Sequence, residues 1–353
     1  MTRLAEITRL DKIGLPVWQA VRPMSRALSV HQGKGATDAD AQLGALLEAV
    51  ESDAAERFDR HPLISSFNEL PERVRAPTIC DFARDRARPS PAEEATGWVE
   101  AEAILGSEPL CLPFDLVSLD FTRDIPSLWD RASNGVATGA TREEAVAAAL
   151  HELIERDAVT EWKAQGLLTR MESAIDPETV PFAWFSHWRE RIAAAGAAAQ
   201  FYRVVSATGT PVFACEINDG GKDGAPYRAI QGRGCHPIAE VALFKALAEA
   251  VQGRATYIAG ARDDLLPSHY EARPEAGITI AFGLPLPPNM DGVDFAEIPS
   301  AAAGVAALAA ALESAGYPRM GVVELARPAG LWVVRAFVCG LASLVRRRRE
   351  PLQ

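Results

Sequence analysis

The sequence predicts a mixed α/β (α+β) fold in which alanine-rich helices pack on β-sheet. Three alanine-rich segments with a helical pattern recur along the 353 residues. Between them stand short runs rich in valine and aromatic residues, separated by Gly, Pro or Asp, which is typical of strands. Hydrophobic residues make up 48% and charged residues 24%, the balance of an ordinary globular chain. Because no low-complexity linker divides the chain, we expect one domain over residues 1–353.

The three alanine-rich segments share one pattern, Ala-x3-Ala-Leu-x-Glu-x2-Glu/Gln. Gly35–Glu51 aligns with Gly139–Glu155 at a constant offset of 104 residues, and a third copy, Ala242–Gln252, follows the first at an offset of 201. Alanine is the strongest helix former, and small residues four apart let a neighbouring element approach closely. Each copy therefore predicts a helix, although a single alanine-rich helix with acids three apart is more often an ordinary solvated one.

The starts of these helices are indicated by capping residues. Thr37 with Asp40, and Thr141 with Glu144, have the spacing of a capping box, so the first two helices are predicted to begin there. In the third copy, Pro237 suits a position in the first helical turn.

Further elements follow from local composition. Two more helices are predicted at Pro181–Ala195 and Ala301–Ser314, and Glu69–Pro113, rich in Pro and Arg, is expected to be irregular. Strands are predicted at five places: Phe201–Val205, Thr210–Ile217, Tyr227–Gln231, Met320–Ala326 and Leu331–Val338.

Charge and targeting features exclude several classes of protein. The chain carries 36 Lys+Arg against 47 Asp+Glu, a net charge of −11, which argues against a nucleic-acid binder. The basic run Arg346–Arg349 is expected to be part of a solvated tail, 346–353. No signal peptide is visible, and the longest apolar run is too short to span a membrane. Five separated cysteines without CxxC disfavour disulfides and structural zinc, so we expect a cytoplasmic protein.

Paired glutamates are the main chemical feature of the repeats. Glu48 with Glu51, and Glu152 with Glu155, lie three apart, so each pair shares one helix face at ~5–6 Å between Cβ atoms. If the repeats pack around one centre, these carboxylates converge, and two charges at ~5 Å repel by roughly 3 kcal/mol at a dielectric of ~20. A cation would relieve that repulsion. Oxygen ligands without His or Cys favour Mg²⁺, which commonly brings a nucleotide phosphate.

Basic and amide side chains beside the repeats are candidate phosphate or ribose contacts. Lys34 stands between two glycines before the first helix, which suits an anion, yet it is not a P-loop because Leu28 occupies the first glycine position. An exposed loop lysine is the alternative. Arg156 and Arg254 either reach phosphates or form surface ion pairs, and Asn134 either binds a ligand or belongs to a turn.

Other catalytic classes lack their motifs. No HExxH, GxSxG or complete GxGxxG occurs, and Gly232-Arg233-Gly234 lacks the third glycine. No protein nucleophile is therefore predicted, and the catalytic residues stay unassigned.

In this order the motifs resemble the YcaO family over about residues 15–265. The matching segments are Arg22-Pro23 with Ser29-x3-Gly33-Lys34-Gly35, Glu48-x2-Glu51, Ser133-Asn134-Gly135 through Glu152-x2-Glu155-Arg156-Asp157, and Ala246-Leu247-x-Glu249-Ala250-x-Gln252-x-Arg254. The resemblance implies a YcaO-like fold that binds Mg²⁺–ATP without a Walker motif and phosphorylates the oxygen of a peptide backbone amide. Attack by a side-chain nucleophile then yields azolines, and attack by sulfide yields a thioamide.

The resemblance also implies roles for individual positions. The positions matching metal ligands are Glu48, Glu144, Glu152 and Glu155. Those matching nucleotide contacts are Lys34, Glu51, Asn134, Arg156, Gln252 and Arg254. Glu144 has the alternative role of a capping-box residue, and Glu51 is expected near either metal or nucleotide.

Departures from the family pattern guide the choice of reaction. Gly44 and Ser52 replace a family Ser and Arg, and the chain begins 33 residues before Lys34, so a shortened nucleotide site is one expectation. A Pro-rich C-terminus and a leader-peptide-binding domain are not seen. We therefore expect thioamidation of a ribosomally made precursor peptide, with a TfuA-like partner, by a homodimer without nucleic-acid or membrane partners. The alternatives are an azoline-forming cyclodehydratase and a degenerate, non-catalytic nucleotide-binding scaffold.

Overall fold

A computed structural model describes residues 1–84, 91–106, 108–123, 128–219, 229–271, 293–298, 300–301 and 303–343. Its strands are β1 (Arg3–Glu6), β2 (Val17–Val21), β3 (Val30–Lys34), β4 (Leu63–Ser65), β5 (Thr96–Ala103), β6 (Leu110–Pro113), β7 (Val136–Gly139), β8 (Ala197–Val204), β9 (Val212–Asp219), β10 (Ala229–Cys235), β11 (Met320–Ala326) and β12 (Trp332–Val338). Its helices are α1 (Asp38–Glu56), α2 (Phe114–Val117), α3 (Arg142–Ala164), α4 (Leu167–Glu172), α5 (Ala183–Ala194), α6 (Ala239–Ala259), α7 (Pro267–Glu271) and α8 (Val305–Ser314).

The described strands form three antiparallel sheets. One sheet has the order β1-β2-β3, a second has β8-β9-β10, and the largest runs β4-β5-β11-β12-β7 with β6 also paired to β5. The predicted mixture of helices and sheets is confirmed. Each repeat helix follows directly from a strand: β3 leads into α1, β7 into α3 and β10 into α6.

Both predicted capping boxes are present. The Thr37 hydroxyl accepts from the Asp40 backbone N–H while the Asp40 carboxylate accepts from the Thr37 N–H, and Thr141 with Glu144 does the same for α3. The third helix begins two residues after Pro237, with Ile238 in an extended conformation as its N-cap. The expectation that Pro237 lies in the first turn was therefore wrong, because the extended backbone between strand and helix includes it.

Glycines in the strands allow the repeat helices to pack at backbone distance. A Cβ on Gly33 of β3 would collide with the backbone of Ala41 and Ala45 in α1, both of which are fully buried. Gly234 of β10 meets the two corresponding alanines of α6, 201 positions later, and Gly139 of β7 meets the first turn of α3. The small alanine side chains of the repeat thus allow each helix to pack closely on the strand that precedes it.

The segment Glu69–Pro113 was expected to be irregular, yet it contains β5 and β6. In β5, Trp98 and Ala101 are buried while Glu100 and Glu102 are exposed, and the strand pairs with β4, β6 and β11. Because two buried neighbours interrupt the alternation, the period-two pattern is weak, and pairing with β11, distant in sequence, completes the strand.

The remaining predicted elements agree closely with the structure. The strand Met320–Ala326 has the predicted bounds, and the two further helices appear as α5 and α8. All five cysteines are free thiols. The tail 346–353 and the start of the strand predicted at Tyr227 lie outside the described residues. Within the described part of the chain, no helix combines the length and apolar character needed to cross a bilayer.

Replacing Gly33 by alanine tests the strand–helix contact. Because a Cβ there meets helix backbone rather than a movable side chain, Gly33→Ala should lower the free energy of unfolding by about 1–3 kcal/mol. Gly166→Ala is the matched control, since Gly166 has φ −62° and open space where a Cβ would point. Urea unfolding followed by circular dichroism measures both, and equal stability of the two variants would contradict this packing argument.

Candidate functional site

A cavity of about 740 Å³ lies where β3, α1, β7, α3, β10 and α6 meet. Corresponding glutamates of the three repeats, Glu48, Glu152 and Glu249, all line it. The three helices therefore present the same position of the repeat to one space, as the sequence pattern indicated. Six of the predicted site residues contribute to the lining: Lys34, Glu48, Glu51, Glu152, Arg156 and Gln252.

The two glutamates of α1 are held by the backbones of two different strands. Glu48 accepts a hydrogen bond from the Gln32 N–H in β3 at 2.8 Å, and Glu51 accepts one from the Thr138 N–H in β7, also at 2.8 Å. Although the Glu48 side chain opens to the cavity, surrounding protein desolvates it and raises its pKa. Desolvation, then the charges of Glu48 and Glu152, raises the pKa of Glu51 from 4.5 to about 8.

Arginines compensate the glutamates of α3. Arg156 contacts Glu152 at 3.3 Å and Glu155 at 3.4 Å, and Arg233 of β10 lies 3.6 Å from Glu155. Burial raises the pKa of Glu155, and the neighbouring charge of Glu249 adds to that rise. Glu155 is 6% exposed and stands directly behind the cavity lining rather than in it.

The negative charge of Glu249 in α6 is compensated by two basic side chains from different strands. Arg233 contacts it at 3.1 Å and Lys34 at 4.0 Å. Burial alone would raise its pKa, but the charges of Lys34, Arg233 and Arg156 together lower it. Glu249 therefore stays ionised, and it holds the cavity's basic side chains in place.

Glu249 and Arg233 were both missed as site residues from the sequence. The repeat itself contained the signal for Glu249, because this residue occupies the position of Glu48 and Glu152 in the third copy. Arg233 lies between two glycines before a repeat helix, as Lys34 does, but the triplet had been considered only as a dinucleotide fingerprint.

Gln252 links α6 to β3 of the first strand–helix unit by a hydrogen bond. Its Nε2 donates to the Gln32 carbonyl oxygen at 3.1 Å, and the Thr256 hydroxyl donates to the Gln32 side chain. The Gln32 side-chain Nε2 is buried, and no hydrogen-bond acceptor for it exists among the described residues. Since Gln32 lines the cavity, this orphaned donor suits a bound polar ligand.

Four predicted residues do not line this cavity: Glu155 stands behind it, and three others lie elsewhere. Glu144 closes the capping box of α3, Arg254 donates from Nε to both carboxylate oxygens of Asp11 at 3.0 Å, and Asn134 lines a separate small cavity that also touches Arg156. For Glu144 the physical reason is position: it lies two turns before Glu152, at the exposed start of the helix.

The two departures from the family pattern have different consequences here. Ser52 lines the cavity and donates to Glu56 at 3.2 Å. A Cβ on Gly44 would lie 3.2 Å from the Gly33 Cα, so the position is tight and glycine fits the close contact between α1 and β3.

The donor set fits Mg²⁺ with phosphate better than a metal held by protein alone. No group of three or more His, Cys, Asp or Glu in the described ranges is arranged to hold a metal ion. Mg²⁺ commonly takes only one or two carboxylates and completes its octahedron with waters and phosphates. The carboxylates with raised pKa face Lys34, Arg156 and Arg233 across the same cavity, an arrangement suited to an anion bound through a divalent cation.

Comparison with known proteins establishes the class. A family model described as YcaO cyclodehydratase, ATP- and Mg²⁺-binding, matches residues 32–342. The chain belongs to the YcaO family. ATP and Mg²⁺, the cofactors expected from the sequence, are thus confirmed at the level of the family.

Two relatives illustrate the similarity. An uncharacterized protein from the tfuA 3′ region of Rhizobium leguminosarum bv. trifolii is 34% identical over 77% of this chain, and this chain spans 66% of its length. An uncharacterized protein of Methanothermobacter thermautotrophicus is 30% identical over 97% of this chain and 89% of its own.

Solved structures share the fold. YcaO from Methanopyrus kandleri, bound with AMPPCP and Mg²⁺, has a TM-score of 0.72 at 21% identity and covers 100% of this chain and 90% of its own. A heterocyclase in complex with substrate and cofactor has a TM-score of 0.78 at 21% identity, covering 97% of this chain but 50% of its own. The Escherichia coli microcin synthetase McbBCD complex has a TM-score of 0.68 at 15% identity, covering 95% of this chain and 86% of its own.

Glu51 should make the stability of the metal-free protein depend on pH. The pKa of this carboxyl is about 4.5 in the unfolded chain, whereas in the folded protein the pKa is raised to about 8. Its contribution to stability is therefore present below the unfolded pKa and declines as pH rises between the two values. Glu51→Gln removes this titration, so its melting temperature should fall less between about pH 5 and pH 8 than that of the wild type.

Thermal unfolding in the presence of a chelator measures the difference. Glu190→Gln, which alters an exposed carboxylate of α5, is the control and should follow the wild type. An identical pH dependence for Glu51→Gln and the wild type would show that Glu51 is not held protonated by the fold.

Proposed function

We propose that this protein is an ATP- and Mg²⁺-dependent enzyme that phosphorylates the oxygen of a peptide backbone amide. The observation that carries the proposal is the convergence of Glu48, Glu152 and Glu249, one from each repeat, on a cavity that is also lined by five basic side chains, Lys34, Arg156 and Arg233 among them. The family description, ATP- and Mg²⁺-binding, supports the cofactors, and the heterocyclase bound to substrate supports the class of reaction.

The carboxylates and the basic residues would have different roles in binding the triphosphate. Glu48 and Glu152, which line the cavity, would hold Mg²⁺, which neutralises phosphate charge when it is bound. Glu155, predicted as a further metal ligand, lies behind them and would instead position Arg156 and Arg233. Lys34 and Arg156 donate to phosphate oxygens. Their present carboxylate contacts, at 3.3–4.0 Å, are long enough to be exchanged for shorter bonds to a bound anion.

Two further polar residues complete the proposed nucleotide site. The orphaned Nε2 of Gln32 supplies a donor from β3, and Gln252 keeps that strand against α6. Burial, together with the charges of Glu48 and Glu152, keeps Glu51 protonated near neutral pH. It would ionise when a cation joins the cluster, so that binding and proton release are coupled.

An amide needs this arrangement because it is a poor electrophile. Addition of a nucleophile to the amide carbon places negative charge on oxygen, and that oxygen then attacks the γ-phosphorus of ATP. Arg156 and Arg233 stabilise the charge that develops on oxygen and phosphate, since fixed cations in a partly desolvated cavity act more strongly than in water.

Thioamidation is the reaction we favour, with sulfide as the nucleophile and a ribosomally made peptide as the substrate. The relative from the tfuA 3′ region supports a TfuA-like partner. A microcin synthetase complex of the same fold, solved with pro-MccB17 bound, supports a peptide substrate and an assembly of several proteins. We further propose that the chain works as a homodimer in the cytoplasm, where ATP is supplied.

Glu152 and Glu144, two turns apart on α3, test the site. Glu152→Gln should weaken Mg²⁺–ATP binding at least about tenfold, because a charged ligand in the cavity is lost. Glu144→Gln should bind like the wild type, since glutamine preserves the capping box. Isothermal titration calorimetry measures Mg²⁺–ATP binding by both variants. Loss of binding in Glu144→Gln but not in Glu152→Gln would move the metal site to the start of the helix.

The mass of the modified peptide separates thioamidation from azoline formation. A thioamide replaces oxygen by sulfur and gains mass, whereas an azoline loses one water. We expect the gain when the purified protein, its partner, peptide, ATP and sulfide are combined. A loss of water would assign the chain to the cyclodehydratases. ATP binding without any product would favour the scaffold alternative.

A further inference from the structure

A row of polar side chains crosses one face of the β8-β9-β10 sheet and reaches the cavity at Gln231. The strand register places Gln200, Glu216 and Gln231 side by side. Of the described residues of β10, Gln231 and Arg233 line the cavity, and since they are two apart they share one face of the strand. The nucleotide site proposed above does not use this polar row.

Hydrogen bonds fix the orientation of the Gln231 carboxamide. Its Nε2 donates to Oε1 of Glu216 at 3.0 Å, and the Tyr202 hydroxyl donates to Oε2 of the same carboxylate at 3.2 Å. Because an ionised carboxylate accepts hydrogen bonds and donates none, the NH₂ end of Gln231 faces Glu216 and its carbonyl end faces away. Burial, and then the charge of Glu216, raises the pKa of Tyr202, so its hydroxyl keeps the proton that it donates. Trp162 packs on Tyr202 with ring centroids 5.0 Å apart, which holds the phenol in place.

The carbonyl oxygen of Gln231 is a hydrogen-bond acceptor without a donor. This atom, Oε1, is buried, and among the described residues no donor lies within hydrogen-bond distance of it. An unpaired buried polar atom is unfavourable, so a ligand group that donates to it is favoured. Ionised phosphate oxygens cannot fill this role, because they too only accept. The ligand group must therefore carry an N–H or an O–H.

The surroundings of Gln231 indicate which ligand carries that group. Its neighbour Arg233 contacts Glu249 at 3.1 Å and Glu155 at 3.6 Å, so this is the charged end of the cavity, and β10 contributes no apolar side chain on which a nucleobase could pack. The oxygen and the N–H of a trans peptide group point in opposite directions. An amide whose oxygen approaches a phosphate at Arg233 thus directs its N–H away, and Gln231 lies about 7 Å along the strand.

We propose that Gln231 is a substrate-binding residue that accepts a hydrogen bond from the N–H of the peptide amide, and that Glu216 is the positioning residue that holds it. The inference rests on the proposed function and adds substrate recognition to it. Neither Glu216 nor Tyr202 lines the cavity, so both act through Gln231. The substrate class is a secondary amide, because a tertiary amide, such as the one that precedes a proline, has no N–H to donate.

A carboxamide acceptor at this place also agrees with the product that we favour. In thioamide formation the amide nitrogen keeps its proton: the S–H proton passes to water as the C=S bond forms, and phosphate leaves with the electrons of the C–O bond. In azoline formation the N–H proton itself is removed as the C=N bond forms, which needs a base. The carboxamide oxygen of Gln231 is too weak a base to take that proton, so it binds the N–H and leaves it intact.

Two matched small amides test the hydrogen bond. N-acetyl-triglycine methylamide has an N–H at every amide, whereas N-acetyl-trisarcosine dimethylamide has the same series of carbonyl groups and no N–H. With the protein in complex with Mg²⁺ and AMPPCP, titrations followed by NMR of the amide give both dissociation constants. We expect the wild type to bind the glycine compound about tenfold more tightly, the effect of one hydrogen bond to a buried acceptor.

Variants of the polar row assign the preference to Gln231. Gln231→Met keeps the length of the side chain and removes the acceptor, so the preference should fall to about twofold or less. Glu216→Gln should weaken the preference too, because a glutamine can donate to Oε1 of Gln231 and no longer fixes its orientation. Gln200→Met, in the same row but outside the cavity lining, is the matched control and should keep the wild-type preference. Since the preference is a ratio measured within each variant, partial loss of folded protein leaves it unchanged.

Three results would overturn the inference: equal binding of the two amides by the wild type, binding of neither, or a preference that persists in Gln231→Met. In each of these cases, Mg²⁺–ATP binding by the wild type leaves the proposed function standing. Absence of that binding removes the proposed function and this inference together.

Discussion

Backbone-distance packing of a strand on the helix that follows it is the constraint on which the site depends. Gly33 against Ala41 and Ala45, and Gly234 against the matching alanines of α6, bring helix and strand closer than any larger pair of side chains allows. At such a distance the helix cannot rotate about its axis without collision. The helix face that carries Glu48 or Glu249 is thereby directed at the cavity.

Convergence of carboxylates has an electrostatic cost, which the fold offsets in two ways. On α1, backbone N–H groups of two sheets hold Glu48 and Glu51, and the pKa values of both rise. Across the cavity, Arg156 and Arg233 bridge the acids of α3 and α6. The site is therefore less negative than a count of its glutamates suggests. A bound cation would displace protons from the glutamates, and a bound anion would take over the contacts that the arginines now make with carboxylates.

The same network joins parts of the chain that are distant in sequence. The Glu249 carboxylate forms ion pairs with Lys34 from the first strand–helix unit and with Arg233 from the third. Gln252 donates a hydrogen bond to the backbone of β3. A ligand that engages Lys34 and Arg233 thus acts on two units at once. The cation of the first unit pairs with a carboxylate of the third, and the cation of the third unit also pairs with a carboxylate of the second.

Much of the site was determined by the sequence alone. The repeat pattern located the three helices, and with it Glu48, Glu51 and Glu152, because helical periodicity and capping act over a few residues. Glu249 was present in the same pattern. Residues outside such local patterns were harder to predict. β5 was missed within Glu69–Pro113, since its pairing with β11 spans most of the chain.

Only the tertiary structure decided which matching residues meet. Arg254 and Glu144 fit the family pattern as well as Gln252 does, yet Arg254 pairs with Asp11 and Glu144 caps its helix. Arg233 was recognised as a site residue only through its neighbours in space. Local sequence determines where a helix begins and which face is polar. Whether a polar side chain reaches the cavity depends on the packing of strands hundreds of residues away, which no short motif encodes.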